Sequence, residues 1–151
     1  MPILKIKNHS YEGEEALANV VNYVLRSDYY GGLAVDPDYA AFQMQLVKQL
    51  WQKTDGRQVR HMILSFSKNE VLAYYEAMEY GYQICRYWGD CFQIVFALHS
   101  DTDYVHLHFV LNTVSFIDGS KFSAGSSDYW AFRNYIQSLM PQWRVELVPD
   151  N

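Results

Sequence analysis

The stretch His99-Ser-Asp101-Thr-Asp103-Tyr-Val-His106-Leu-His108-Phe-Val-Leu-Asn112 holds three of the five histidines of this chain within ten residues. His106 and His108 are two positions apart in an apolar run, so on a β-strand both side chains point to the same face. His99 ends the preceding apolar run, and the polar residues 100–105 predict a connector that folds the two strands into an antiparallel hairpin. Three imidazoles on one sheet face would make an open metal site, with coordination positions left for substrate or water.

Composition predicts one ordered domain over residues 1–151. Half of the residues are apolar and only 19% are charged, and a chain of this length buries a core without metal or disulfide support. No apolar segment approaches the ~20 residues that cross a bilayer, and the first residues lack the layout of a signal peptide. The two cysteines, Cys85 and Cys91, form no CxxC motif, so we expect a reduced, cytoplasmic setting.

The charge of the chain argues against strong non-specific binding to nucleic acid. The formal net charge is −5 at pH 7, whereas nucleic-acid-binding domains are usually basic. A DNA-binding role would therefore need basic side chains gathered on one face, or an accessory DNA-binding protein as partner. The candidates for such a face are Lys48, Lys53, Arg57, Arg60, Lys68, Lys121 and Arg133.

Hydrophobic periodicity predicts the element order β-α-α-β-α-β-β-α-β. Between the first two helices, Tyr29-Tyr-Gly-Gly32 and Asp36-Pro37 predict a loop. The mixture of elements predicts an α+β domain with a central, largely antiparallel sheet flanked by helices. The predicted strands cover residues 3–8, 60–66, 91–98, 106–112 and 143–148, and the predicted helices cover about 10–26, 39–53, 69–88 and 127–140.

The spacing of the histidine motif resembles that of a known family. The pattern His99-x-Asp101-x4-His106-x-His108, followed by an apolar run and an asparagine, is similar to the third motif of relaxases of the MobA and VirD type, in the HUH endonuclease superfamily. The resemblance implies a five-stranded sheet with the His-x-His strand in its middle. It also implies that Asp101 orients a metal-bound histidine. Because a tyrosine with an ordinary pKa of ~10 is protonated at neutral pH, the metal or an acceptor such as Asp101 must assist a tyrosine nucleophile. From its place in the connector, Asp103 is predicted to be a turn residue.

Two further segments resemble motifs of the same family, in the right order along the chain. His61-x3-Ser65-Phe66 is similar to the second motif, and residues 118–122, Asp-Gly-Ser-Lys-Phe, are similar to a Gly-Lys hairpin that follows the third. The resemblance implies that Ser65 and Lys121 contact substrate DNA. For His61 we expect a supporting role in the sheet rather than direct metal ligation.

The choice of nucleophile among thirteen tyrosines falls on Tyr23. On the predicted first helix it lies at the flank of the apolar stripe, so its hydroxyl can reach beyond the core. The resembled family places its nucleophilic tyrosine in a helix after the first strand, in the setting apolar-x-Tyr-apolar, which Val21-Asn22-Tyr23-Val24 matches. Tyr29 and Tyr30 remain alternatives if the helix register differs.

The long third helix raises a further question, because it is rich in aromatic residues. These rings could stack on unpaired bases, although aromatic residues at helical spacing more often pack into a core. The residues concerned are Tyr74, Tyr75, Tyr80, Tyr82, Tyr87 and Trp88.

The function that the resemblance implies is metal-dependent, site- and strand-specific nicking and rejoining of single-stranded DNA at an origin of transfer. His99, His106 and His108 would bind a divalent cation, Mg²⁺ or Mn²⁺ in function, and neutral imidazoles would also bind Zn²⁺ or Ni²⁺. Tyr23 would form a 5′-phosphotyrosyl link. Three alternatives stay open: a rolling-circle replication initiator, a catalytically silent accessory DNA-binding module, and a three-histidine metalloenzyme unrelated to nucleic acid.

Overall fold

The histidine hairpin lies in the middle of a six-stranded sheet. The computed structural model describes residues 1–13, 15–100 and 104–150, and in these ranges the strand order is β2-β4-β5-β3-β1-β6. Every neighbouring pair is antiparallel except β1 and β6, which are parallel. The strands are β1 Ile3–Ile6, β2 Tyr30–Leu33, β3 Val59–Phe66, β4 Ile94–His99, β5 Val105–Asn112 and β6 Glu146–Val148.

The sheet confirms the predicted α+β class and its largely antiparallel character, but five strands was the wrong number. The additional strand is β2, which forms in the segment predicted as a loop and pairs with β4. Its Tyr-Gly-Gly sequence is typical of a turn, yet Gly31 serves close packing. A Cβ atom at Gly31 would lie 2.5 Å from the hydroxyl oxygen of Tyr82 and 2.9 Å from the ring of Phe96. The glycine therefore lets a helix approach this edge strand.

Helices cover both faces of the sheet. The alternation of strand side chains divides the buried residues into two clusters, one on each face. On β5, Val110 packs in the cluster with the first two helices, whereas Phe109 packs in the cluster with the last two. The helices are α1 Ala16–Val24, α2 Ala40–Leu50, α3 Tyr74–Cys85 and α4 Ser126–Leu139, with a short 3₁₀ helix at Pro37–Tyr39. No helix in the described ranges is both long and apolar enough to cross a membrane.

The helical face that matters for the site is the one formed by α1 and α2. Leu17, Val20, Val21 and Val24 form the buried stripe of α1, spaced as an amphipathic helix requires. They pack against Val95, Ala97 and Val110 of β4 and β5. His106 and His108 share the face of Val110, because they lie four and two positions before it, respectively, on the same strand. The end of α1 therefore lies beside the histidines.

Candidate active site

Strand pairing brings the three histidines of the motif together. β4 and β5 are antiparallel with His99 opposite His106 and Ala97 opposite His108, and directly opposed residues point to the same face. The ring centroids of His99 and His108 are 4.2 Å apart, and those of His106 and His108 are 6.2 Å apart. His108 is buried, while His99 and His106 are half-buried. β4 and β5 are thus antiparallel neighbours, as predicted, and the three rings lie on one face of the sheet.

A chain of hydrogen bonds runs from His108 through His61 to Tyr11. His108 Nδ1 lies 2.9 Å from His61 Nε2, and His61 Nδ1 lies 2.8 Å from the Tyr11 hydroxyl oxygen. Burial lowers the pKa of His61 to about 4 and the pKa of His108 to about 3, so both rings are neutral at pH 7. When His108 donates to His61, and His61 to Tyr11, the lone pair of His108 Nε2 is left for a metal ion.

His99 is bound to the end of helix α1. Its Nε2–H donates to the carbonyl oxygen of Val24 at 2.6 Å. Val24 is the last residue of α1, and the last carbonyls of a helix have no partner within the helix. The neutral ring that donates from Nε2 carries its lone pair on Nδ1. One histidine of the motif therefore satisfies the terminus of the helix that carries Tyr23.

The chemistry of this donor set suits a divalent cation. Neutral imidazole nitrogens bind Mn²⁺, Ni²⁺ and Zn²⁺ well, and the site opens to solvent beside Tyr23. In the described ranges, however, no three His, Cys, Asp or Glu side chains are grouped as metal ligands. His99 directs a nitrogen at Val24 and His108 directs one at His61. The residue types and their common face fit a cation, and ligation would require His99 to exchange its hydrogen bond or to use Nδ1.

Tyr23 lies next to two histidines of the motif, His99 and His108. Its ring centroid is 5.8 Å from that of His99 and 6.2 Å from that of His108, and both contacts are edge-to-face. The Tyr23 residue is 54% exposed. It occupies the last turn of α1, next to the buried Val24. The helix thus presents a solvent-accessible hydroxyl on the same side of the sheet as the imidazoles.

The two alternative tyrosines are differently placed. The hydroxyl of Tyr30 donates to Asp38 Oδ1 at 2.7 Å, and this bond raises the Tyr30 pKa. The ring of Tyr29 contacts Tyr74 at a centroid distance of 4.7 Å. Among these three tyrosines, only Tyr23 has ring contacts with the histidines within the described part of the chain.

Comparison with known proteins gives a family match for this chain. The family model of the MobA/VirD2-like relaxase nuclease domain matches residues 19–143. The chain belongs to this relaxase family. The matched region corresponds to the nuclease domain of that family.

Relatives of the domain occur among curated proteins and solved structures. Two proteins named "Protein rlx" from Staphylococcus aureus are each 29% identical, over 72% and 85% of this chain. The chain spans only 33% and 39% of their lengths. A solved structure described as "Molecular Basis of Vancomycin Resistance Transfer in Staphylococcus aureus" has a TM-score of 0.56 and 10% identity, over 83% of this chain and 77% of that chain. The latter shows a shared fold.

The other residues predicted for the relaxase site are not all beside it. Ser65 lies directly opposite His106 on β3 and shares its face. Lys121 pairs with Val114, eight residues along the chain from His106, or roughly 27 Å at strand spacing. Its Nζ donates to the carbonyl of Asp55, so it is separated from the histidines and holds a distant turn. Asp101 and Asp103 lie outside the described residues.

The basic side chains that could have formed one DNA-binding face lie on different sides of the sheet. Lys48 is buried on the side of α1 and α2. Arg60 lies over the ring of Tyr129, and Arg133 lies over Trp130, both on α4 at the other side of the sheet. These cations serve packing and capping contacts on separate faces.

Tyr11 is a site residue that sequence analysis missed. It lies in the loop between β1 and α1, with a φ of 48°, and its carbonyl accepts from Gln58 N at 3.0 Å. The nitrogen Nη1 of Arg57 donates to the neighbouring His9 carbonyl. The contacts that place Tyr11 against His61 come from residues about fifty positions away, so no local pattern signals them.

Proposed function

We propose that this domain nicks and rejoins single-stranded DNA at an origin of transfer, with Tyr23 as nucleophile. The observation that carries the proposal is the position of an exposed tyrosine on the last turn of α1, in ring contact with His99 and His108. A nucleophile, neutral imidazoles and an open surface on one sheet face form the constellation that attack on a phosphodiester requires.

In the proposed reaction, the Tyr23 hydroxyl oxygen forms a bond to phosphorus as the bond from phosphorus to the 3′ oxygen breaks. The products are a 5′-phosphotyrosyl link and a free 3′-hydroxyl. The phenol proton passes to an acceptor, for which Asp101 is our candidate, and the leaving 3′ oxygen takes up a proton. Because the covalent link retains the ester bond, attack by a 3′-hydroxyl reverses the reaction and reseals the strand.

The other residues orient the reacting groups. His99, His106 and His108 would hold a divalent cation, Mg²⁺ or Mn²⁺ in function, which when bound supplies charge stabilisation to the phosphate oxygens. His61 and Tyr11 fix the ring orientation of His108 through their hydrogen bonds. Ser65 lies beside His106 on the neighbouring strand and would donate to a phosphate of the bound DNA.

The test is formation of a covalent adduct. The chain is incubated with Mn²⁺ and overlapping single-stranded oligonucleotides that tile the DNA flanking its gene, and denaturing electrophoresis detects protein–DNA adducts. We expect one oligonucleotide to give an adduct whose tryptic peptide carries the nucleotide on Tyr23. Tyr23→Phe should abolish the adduct while single-strand binding stays within twofold, because a single hydroxyl is removed.

The matched control is Tyr39→Phe, since Tyr39 is similarly exposed but lies in the 3₁₀ helix. It should form the adduct at the wild-type rate. An adduct that persists in the Tyr23→Phe protein would refute Tyr23 as nucleophile. Failure of the wild type to form an adduct with any oligonucleotide, while still binding single strands, would favour an accessory DNA-binding module.

A further inference from the structure

Tyr29 and Tyr74 form a paired aromatic surface beside the nucleophile. Their ring centroids are 4.7 Å apart with an interplanar angle of 48°, and 41% and 46% of their surfaces are exposed. A groove that we call the tyrosine groove contains both rings. It is lined by Tyr23, Arg26, Asp28, Tyr29, Tyr74 and His99, among others. Tyr23 and His99 belong to the proposed reaction centre, whereas the paired rings take no part in the reaction.

The two rings are held by separate, well-anchored elements. Tyr29 N donates to Ser27 Oγ at 3.1 Å, and Leu98 N donates to the Tyr29 carbonyl at 2.9 Å. Tyr74 is the first residue of α3, whose start is fixed by Ala73 N donating to Glu76 Oε1 at 3.1 Å. The aromatic surface is therefore built before any ligand arrives, which lowers the entropic cost of binding.

The tyrosine groove adjoins the point of attack. Tyr23 and His99 form one of its walls, and Arg26, two residues after the end of α1, places an exposed guanidinium there. On the other side of Tyr23 a second groove is lined by Tyr11, His61 and two carboxylates, Glu12 and Glu15. Among the described residues, the lining of the tyrosine groove includes one carboxylate, Asp28, balanced by Arg26, which favours it over the second groove as a site for a nucleotide.

We propose that the tyrosine groove binds the base of the nucleotide adjacent to the phosphate that Tyr23 attacks. The base stacks on the Tyr29–Tyr74 pair, and Arg26 contacts a phosphate. A chain with net charge −5 gains little from general attraction to DNA, whereas stacking on aromatic rings binds single strands with little dependence on charge. The ligand class is an unpaired nucleotide in single-stranded DNA. This inference rests on the proposed function for the identity of the ligand.

The experiment measures binding separately from cleavage, in the Tyr23→Phe protein. The probes are fluorescein-labelled dT12 and a twelve-unit abasic strand with the same sugar–phosphate backbone, compared by fluorescence anisotropy. We expect Tyr29→Ala and Tyr74→Ala each to weaken dT12 binding about tenfold, the range of one lost stacking contact, and to leave abasic binding unchanged. Arg26→Gln should weaken both probes equally, because it contacts phosphate.

The matched control is Tyr75→Ala, the same substitution one residue along α3. Tyr75 is exposed and is not among the residues that line the groove, so its dT12 affinity should stay within twofold. Tyr29→Trp and Tyr74→Trp retain a stacking surface and should bind dT12 at least as well as the parent. If both alanine variants bind within twofold of the parent, or if the tryptophan variants lose as much as the alanine variants, the base site is refuted.

A parallel adduct assay with the wild-type chain separates the two proposals. If the wild type forms the adduct but the alanine variants keep their dT12 affinity, the nicking function is supported and the base site is refuted. Selective loss of dT12 binding in the alanine variants without a wild-type adduct would support the base site and remove the nicking function. Absence of any dT12 binding by the parent would remove the base site.

Discussion

The two ends of strand β5 both bury polar side chains, but they use them differently. At the far end, Lys48 Nζ donates to the Gln58 carbonyl at 2.8 Å and to Thr113 Oγ1 at 3.2 Å. Asn112 Nδ2 donates to the Met44 carbonyl and to Gln93 Oε1. Lys48 is 2% exposed and Asn112 is fully buried. At the near end, the hydrogen bonds of His108 lead through His61 to Tyr11, in a groove that opens to solvent.

The difference teaches that burial of polar groups is not by itself a sign of function. At the far end the buried donors bind backbone carbonyls and buried side-chain oxygens, and these hydrogen bonds attach α2 to the sheet. The near end connects buried imidazoles to an exposed tyrosine and to two grooves. We therefore expect substitutions at the near end to affect chemistry and substitutions at the far end to affect stability.

The largest expected effect is that of His106→Ala at the near end. Loss of a metal-ligating imidazole should lower nicking by at least about 100-fold, while the melting temperature changes little, because the core does not depend on metal. Adduct assays and circular dichroism melts measure the two quantities. Asn112→Ala is the control from the far end: it should lower the melting temperature and leave nicking per folded molecule unchanged. Unfolding of the His106→Ala protein would show that this histidine is structural.

A smaller effect is expected from His61→Phe, which removes the hydrogen-bond partner of His108 and leaves the proposed ligands in place. Loss of such a supporting partner typically weakens metal binding about 10–100-fold, and Mn²⁺ titration calorimetry measures it. His61→Gln, which can still accept from His108, should recover part of the affinity. His9→Phe changes an exposed histidine in the same groove and should bind Mn²⁺ like the wild type. Equal affinities for His61→Phe and wild type would exclude the positioning role.

At the far end, Lys48 predicts a pH dependence of stability. Burial, with a smaller contribution from the charge of Lys121, lowers its pKa from 10.5 to about 7. Between these values the unfolded chain binds more protons than the folded one, so the Lys48 contribution to the free energy of unfolding rises with pH. One such group adds at most about 1.4 kcal/mol per pH unit. The free energy of unfolding of the wild type and of Lys48→Met is measured by urea denaturation between about pH 7.0 and about pH 8.5, from the lowered pKa to roughly one unit above it.

The wild-type curve should rise more steeply with pH than the Lys48→Met curve. Other titrating groups are common to both proteins, so the difference between the curves isolates Lys48. Parallel curves would mean that Lys48 is charged in the folded state at pH 7, and its burial would then have to be compensated by its hydrogen bonds.

The smallest expected effect is that of Tyr11→Phe. It removes one hydrogen bond to His61 Nδ1, worth about 1 kcal/mol, or roughly fivefold in affinity. Mn²⁺ binding should weaken by that amount and by less than in His61→Phe. In the His61→Phe background, Tyr11→Phe should have no further effect, because the chain of hydrogen bonds is already broken. Additive losses would show that Tyr11 acts independently of His61.

Local sequence patterns were sufficient to predict much of the fold and part of the candidate site. The hairpin of His99 and His106 follows from two adjacent apolar runs, and the exposed flank position of Tyr23 follows from the stripe on α1. Strand β2 was missed because a Tyr-Gly-Gly segment is locally typical of a turn. The need for Gly31 comes from the close approach of Tyr82 and Phe96, which are distant in sequence. From sequence, Lys48 is expected to be a surface cation. In the structure, α2 packs against residues 58 and 113 and buries it.

Because His99 Nε2 donates to the Val24 carbonyl, a metal ion bound at Nε2 would compete with the end of helix α1 for this nitrogen. If ligation draws Nε2 of His99 away, the last carbonyl of α1 loses its cap, and the turn that carries Tyr23 gains freedom to move. Thermodynamic reciprocity then requires that fixing this turn weakens cation affinity, and that DNA which holds Tyr23 in a displaced position strengthens it. In the proposed site, ligation through Nε2 of His99 would thus make metal and DNA promote each other's binding, whereas ligation through Nδ1 would not.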